Sequence, residues 1–365
     1  MKSKIIASVH LLGSSHELRP NELLSVSKKI VSLIVMSFCI SSCIGQTYKV
    51  SKKINISGDE GWDYLAVDDV NQHLFVSHGS VVNVVDLKTD KTIATIPDTK
   101  GVHGIAIAND LNKAFITDGK DNAVTIINLT TFELIEKVTI QGQKPDAVLY
   151  DKFSQKVFTY NAKSSDVTVL DAVTNRVIKN IPLDGKPEFS VTNTKGLIYV
   201  NIEDKNQIKT IDAKTLEVTA TWSIAPGDEP SGLAIDLETN RLFSVCGNNL
   251  MIVVDATDGK IIKTLPIDDG CDGVAFDTQK KLAFSSNGVG TITVVKEENA
   301  NSFVVQETVK TQKGARTIAL NKTTHQLYLS TADFGAKPEP TTENPRPRAS
   351  LVPNSFVVLV VENTK

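Results

Sequence analysis

The sequence lacks the local motifs that mark most nucleotide, metal and serine chemistries. It contains no GxGxxG, no P-loop, no HExxH and no GxSxG, so it has no dinucleotide fingerprint, zincin helix or nucleophile elbow. Cysteine is scarce. Of its four cysteines, none forms a CxxCH haem attachment or a zinc-type double CxxC. One-sided charge is absent as well. Lys and Arg number 39 against 42 Asp and Glu, a formal net charge of -3, and the signs are mixed throughout. That balance leaves no basic footprint for nucleic acid and no acidic tail. No window carries an apolar stripe at i, i+3, i+4 and i+7, which excludes a helical domain. The two tryptophans, Trp62 and Trp222, read as packing residues rather than a stacking platform.

What is present begins with a targeting segment. Lys28 and Lys29 precede the apolar run Ile30 to Ile40, much shorter than the ~20 residues that span a membrane. The run reads as a signal-peptide core within residues 1–43. Its end, Ile-Ser-Ser-Cys at Ile40 to Cys43, resembles a bacterial lipobox. Cys39 would then be removed and Cys43 lipidated, making this an exported, periplasmic or cell-surface lipoprotein that meets the membrane only through its anchor. Residues 1–26 are long for the segment ahead of such a run, and a misassigned translation start accounts for them.

From residue 47 the chain repeats itself. WDYLAVD, VHGIAIA, PDAVLYD, PEFSVTN, PSGLAID, CDGVAFD and ARTIALN start at 62, 102, 145, 187, 230, 271 and 315, a beat of 40 to 44 residues. Each copy is followed by a second run such as HLFVSH, a third such as VVNVVD, and a fourth such as VIKNIPL. Period-two alternation broken by Asp, Asn, Gly and Thr marks antiparallel hairpins. Four short strands per ~40–45 residues is the pattern of a propeller blade. The expected fold is therefore all-β: one seven-bladed propeller of four-stranded antiparallel blades over residues 47–365. The last repeat ends on a third strand within SFVVLVVEN, while TYKVSKKINI precedes the first. The N-terminal strand is expected to complete the last blade, which removes exposed sheet edges. Between the second and third strands of that blade, residues 333–350 are rich in proline and polar residues. They read as a long loop and a candidate cover over one channel mouth.

Symmetry then nominates a site. The loop entering the first strand and the loop leaving the second lie on one face of a propeller, near its axis. The entrance positions are Asp63, His103, Asp146, Glu188, Ser231, Asp272 and Arg316. The second-strand ends are His78, Asp118, Asn161, Asn201, Cys246, Ser286 and Thr331. Two approximate rings around one mouth follow. Ligand contacts are expected from Asp63, His103, Asp146, Glu188, Asp272, Arg316, Asn161 and Asn201. The richest sector, Asp63, His78, His103, Asp118 and Asp146, has the carboxylates and imidazoles to hold a divalent cation. No other cofactor is indicated. A solvated channel mouth is the competing reading. Four entrance carboxylates repel one another, so some should titrate high unless Arg316, His103 or a cation offsets them. Asp68, Asp151, Asn193, Asp236, Asp277 and Asn321 close first strands and read as turn formers. Cys246 and Cys271 fall on the mouth face in adjacent blades, where a disulfide and two free thiols are both compatible with the spacing.

These repeats resemble the YncE-like (YVTN-repeat) seven-bladed propellers of exported bacterial proteins. The likeness covers roughly residues 47–365. It is carried by GWDYLAVD, GVHGIAIA, KPDAVLYD, GKPEFSV, VNIEDKN, EPSGLAID, LAFSSNGVGT, GARTIAL and the tail NPRPRASLVPNSFVVLVV. The GH and WD signatures of WD40 propellers are absent. The resemblance implies the fold and no particular reaction. Two functions compete: a monomeric binding or scaffold module for a small molecule or envelope protein, and a lactonase-like metal-dependent hydrolase or lyase using the same mouth residues with Glu188 as base.

Overall fold

Period-two alternation with a buried face on both sides demands that every strand be sandwiched, and the chain achieves this by stacking small sheets around an axis. The computed structural model describes residues 47–364 apart from 343, 344, 346 and 348. The signal-peptide and lipobox assignments, with Cys39 and Cys43, lie outside the described residues. Among those described, seven four-stranded sheets form, and six of them use four strands consecutive in sequence. The seventh orders Tyr48–Asn55, Val357–Asn363, Leu327–Thr331 and Ala319–Leu320 from outside to inside. The N-terminal strand therefore closes the ring, antiparallel to the C-terminal one, from Tyr48 opposite Asn363 to Asn55 opposite Val357.

The core lies between the blades. Seven apolar clusters occupy the seven blade–blade interfaces; one joins Phe158 and Val167 of blade three to Ile198 and Val200 of blade four. Another joins Leu65 and Val76 of blade one to Val358 and Val360 of blade seven, across the closure. Each second strand sends an aromatic ring into this layer at the same position, Phe75, Phe115, Phe158, Tyr199, Phe243, Phe284 and Tyr328, all fully or nearly fully buried, and blade three adds Tyr160. Opposite five of them on the inner strand stand Ala66, Ala106, Ala234, Ala275 and Ala319. Blades crowd toward the axis, so a large residue one strand out is matched by a small one within. Each buried ring contributes about 1.5–3 kcal/mol of apolar transfer energy.

Turn chemistry sets the register. Asp68 accepts the backbone N–H groups of Val70 and Asn71, Asp277 those of Gln279 and Lys280, and Asn321 those of Thr323 and Thr324. These are Asx turns, in which the side chain replaces a backbone acceptor. Asp151 does the same for Ser154, and its other oxygen accepts the Thr192 hydroxyl of the next blade at 2.7 Å. The turn-former reading of these positions holds. The 333–350 excursion carries no strand among its described residues, only a single bridge between Phe334 and Leu351.

Candidate functional site

The entrance residues reach the mouth because the inner strands are bulged there. Register shifts fall between Trp62 and Leu65, Val102 and Ile105, Pro145 and Val148, Pro187 and Ser190, Pro230 and Leu233, and Cys271 and Gly273. A bulge re-aims a side chain out of the pleat, and here it frees the residue just after each strand start. Hydroxyl and amide groups, all but one of them on second strands, pin the distorted backbone. Ser77 Oγ accepts the Asp63 N–H at 2.8 Å, and Thr117 Oγ1 donates to the Asp146 carbonyl at 2.6 Å. Asn201 Nδ2 donates to the Ser231 carbonyl, Ser286 Oγ to that of Arg316, and Thr317 Oγ1 to that of Asp63. Most of these bonds cross from one blade to the next, so blade packing and mouth geometry are fixed together.

Charges around the mouth alternate. Arg316 Nε donates to Asp272 at 2.6 Å and its Nη2 lies 3.5 Å from Asp63. His103 Nδ1 lies 2.5 Å from Asp63 and 3.5 Å from Asp146. The sequence of partners from blade six to blade three is thus Asp272, Arg316, Asp63, His103, Asp146. Farther round, Lys186 pairs with Glu188 at 2.7 Å and also contacts Glu203. Blade five contributes only the neutral Ser231. Asp63, His103 and Asp146 each offer a ligand atom, and these three atoms lie within 4.8 Å of one another.

Beneath this layer, Tyr64 of blade one meets Phe189 of blade four, with ring centroids 5.4 Å apart. The central passage therefore has an aromatic contact beneath the polar mouth. Burial at the mouth raises the carboxyl groups. Glu188 is pushed up to about 8, first by burial and then by the nearby Asp146. Asp272 rises to about 6 by burial, although Arg316 opposes it. Asp146 is raised by burial against the pull of His103. For His103 burial works the other way, but the bond to Asp63 and the charge of Asp146 prevail and hold the imidazole above its ordinary value. Tyr64 is raised well above the usual phenol range by burial and the surrounding carboxylates.

The second expected ring is not at the mouth. His78, Asp118 and Asn161 turn back between the second and third strands of their own blades. His78 bonds Asn83 at 3.1 Å and stacks on Phe356. Asp118 accepts from Thr125 at 2.6 Å and Asn161 donates to Thr168 at 2.9 Å. His78 and Asp118 therefore stand apart from the three grouped ligand atoms. Asn201 and Ser286 are one residue out of register with this set. Their blades place Ile202 and Asn287 opposite the strand start, and that offset turns Asn201 and Ser286 toward the next blade as backbone clamps. Cys246 and Cys271 are buried free thiols; the Cys271 thiol donates to the Cys246 carbonyl at 3.1 Å. Burial pushes both up to about 12, which makes them inert at neutral pH. Sequence reasoning missed Ser77, Thr117, Thr317, Lys186, Tyr64 and Phe189. For Ser77 and Thr117 a signal existed: a hydroxyl residue one position before the second strand ends.

No protein-family model matches the chain. Among curated proteins it is similar to the uncharacterized protein YncE of Escherichia coli (strain K12), 22% identical over 226 residues. That match covers 55% of this chain and 64% of the relative. The uncharacterized protein YncE of Salmonella typhi is 23% identical over 186 residues, 49% of this chain and 52% of the relative. The chain is a seven-bladed propeller with weak similarity to the YncE proteins. It spans less than two thirds of the length of these curated relatives. Solved structures similar to this chain include the hydrazine synthase of Kuenenia stuttgartiensis, with a TM-score of 0.65 and 14% identity over 75% of this chain and 94% of that one. The WD40 repeats of RRP9 superpose with a TM-score of 0.72 and 8% identity, over 87% and 99%. At such identities the likeness is one of fold alone.

Proposed function

We propose that this propeller is a binding module of the bacterial envelope, and that Asp63, His103 and Asp146 hold a divalent cation in its ligand site. The reading rests on the convergence of two carboxylate oxygens and one imidazole nitrogen from three successive blades within 4.8 Å. That donor set suits a borderline or hard divalent ion. The cation would replace the proton that His103 shares with Asp63, so its binding should weaken in acid. Arg316 and Asp272 on one side, and Lys186 and Glu188 on the other, would then meet the polar groups of a small ligand or an envelope protein.

Metal analysis of untagged protein is expected to find a bound divalent cation. Zinc or calcium at about 100 times Kd should add roughly 2.7 kcal/mol of stability, read as a rise in Tm that Asp63→Asn and His103→Gln both abolish. Metal-free protein whose Tm ignores added zinc and calcium would sink the proposal.

A second reading, a metal-dependent hydrolase or lyase acting on lactone-like sugar derivatives, is favoured by one observation. Glu188 carries a buried carboxyl near pKa 8, in the range useful for general acid–base catalysis. It needs the same metal, so the absence of metal removes this reading too.

Envelope residence rests on the lipobox-like stretch ending at Cys43. Cells fed labelled palmitate should label the full chain and not Cys43→Ser; equal labelling, or none in either, counts against the anchor.

A further inference from the structure

Beside the mouth lies a cavity of about 990 Å³, the upper end of the size range for small-molecule sites. It opens between the entrance of blade one and the blade-seven excursion. One wall is apolar: Trp62, Phe334 and Leu351 line it. Trp62 is anchored from behind, stacked on Phe356 at 5.4 Å and tilted against Phe334 at 6.1 Å. Among the described residues, the rest of the lining carries three cations, Lys313, Lys337 and Arg316, the last already paired with Asp272, against a single carboxylate, Asp333. Asp333 is partly engaged, accepting from Gln312 Nε2 at 3.0 Å. The backbone is shaped to the space as well. Gly314 has φ +86° and a Cβ there would meet the Phe334 ring at 2.7 Å, so its lack of a side chain lets that ring lie against the strand entrance.

We propose that this cavity binds a small organic anion with a flat apolar body, its ring against Trp62 and Phe334 and its charged group toward Lys313 and Lys337. Both halves of the recognition are needed. Aromatic contact supplies area and orientation, while the excess positive charge selects an anion over its neutral isostere. The cavity adjoins the grouped ligand atoms of Asp63, His103 and Asp146 without including them: it shares Arg316, whose Nη2 lies 3.5 Å from Asp63.

Gly61 offers a clean test, because a Cβ placed there meets nothing within 4 Å. Gly61→Phe would set a ring on the cavity wall beside Trp62, where the added Cβ itself displaces no neighbour. The probe is 2-naphthoate, with neutral 2-naphthamide as control, measured by isothermal titration calorimetry on the full mature chain. Wild-type protein is expected to bind the naphthoate about tenfold more tightly than the amide, the gain a charge-assisted contact supplies. Lys313→Gln combined with Lys337→Gln should bring that ratio near one while leaving amide binding in place. Gly61→Phe should remove binding of both at an unchanged Tm. Equal affinities in the wild type, no binding of either probe, or naphthoate binding that survives Gly61→Phe would each overturn the proposal. Because the probes need no metal, chelator-treated protein should give the same ratio, which keeps this test independent of the cation site.

Discussion

A chain without residues 47–56 is expected to lose its cooperative melt and to elute as aggregate. The closing strand supplies the outer quarter of blade seven, paired from Tyr48 to Asn55 with Asn363 to Val357. Removing it bares the edge of Val357–Val361, a row of five aliphatic residues with free backbone donors and acceptors, the kind of edge that templates aggregation. It also uncovers the cluster of Phe284, Ile292, Leu329 and Leu359 around Tyr48. A milder probe is Tyr48→Ala. Tyr48 is 1% exposed and meets Phe284 edge-on at 5.1 Å, so the substitution should cost about 3–5 kcal/mol, or roughly 5–15 °C in Tm. Scanning fluorimetry and size-exclusion chromatography read both. A truncated chain that melts within a degree or two of the intact one would mean that the ring does not depend on this closure.

The metal-free protein should be most stable in mild acid and should weaken as pH climbs toward 8. Glu188 ordinarily titrates at 4.5 and is held at about 8 in the fold. Across that window the folded chain keeps a proton the unfolded chain has released, so stability falls as pH rises. Asp272 and Asp118, each raised from 3.8 to about 6 by burial, act in the same direction at lower pH. His103 adds to it: its bonds to Asp63 and Asp146 stabilise the fold fully below pH 6.5, and that contribution fades as pH passes its raised value. Glu188→Gln removes the largest single part. We expect a gain of roughly 2–4 kcal/mol at pH 8, equivalent to about 5–10 °C, and little change at pH 5. Thermal melts from pH 5 to 8 decide the matter; a flat or rising wild-type profile would count against a protonated Glu188.

Much of this was readable in the residues. A seven-fold beat of hairpins and a surplus N-terminal strand led to the ring and its closure, because strand alternation and turn residues are local signals that a propeller merely repeats. The entrance residues were also legible by symmetry. The second ring was not, for a reason of geometry. Strand side chains alternate with a period of two, so a slip of one position moves a residue to the opposite face. Blade four runs 15 residues from Pro187 to its partner Ile202, where blade three runs 16 from Pro145 to Asn161. Choosing the last polar residue therefore took Asn201, a backbone clamp, as a mouth residue. The bulges that aim Asp63, His103 and Asp146 leave no composition signature, and neither does the meeting of Tyr64 with Phe189 across the axis. Both arise from how seven wedges fit, which a linear pattern does not encode.

The contact between Tyr64 and Phe189 has a kinetic meaning. A propeller with an open axis could pass solutes or a peptide from one side to the other. Here two rings from blades one and four meet beneath the mouth and narrow that passage, so the mouth rim is the wider route for whatever occupies it. Occupancy can then be governed mainly from the rim where the blade-seven excursion stands.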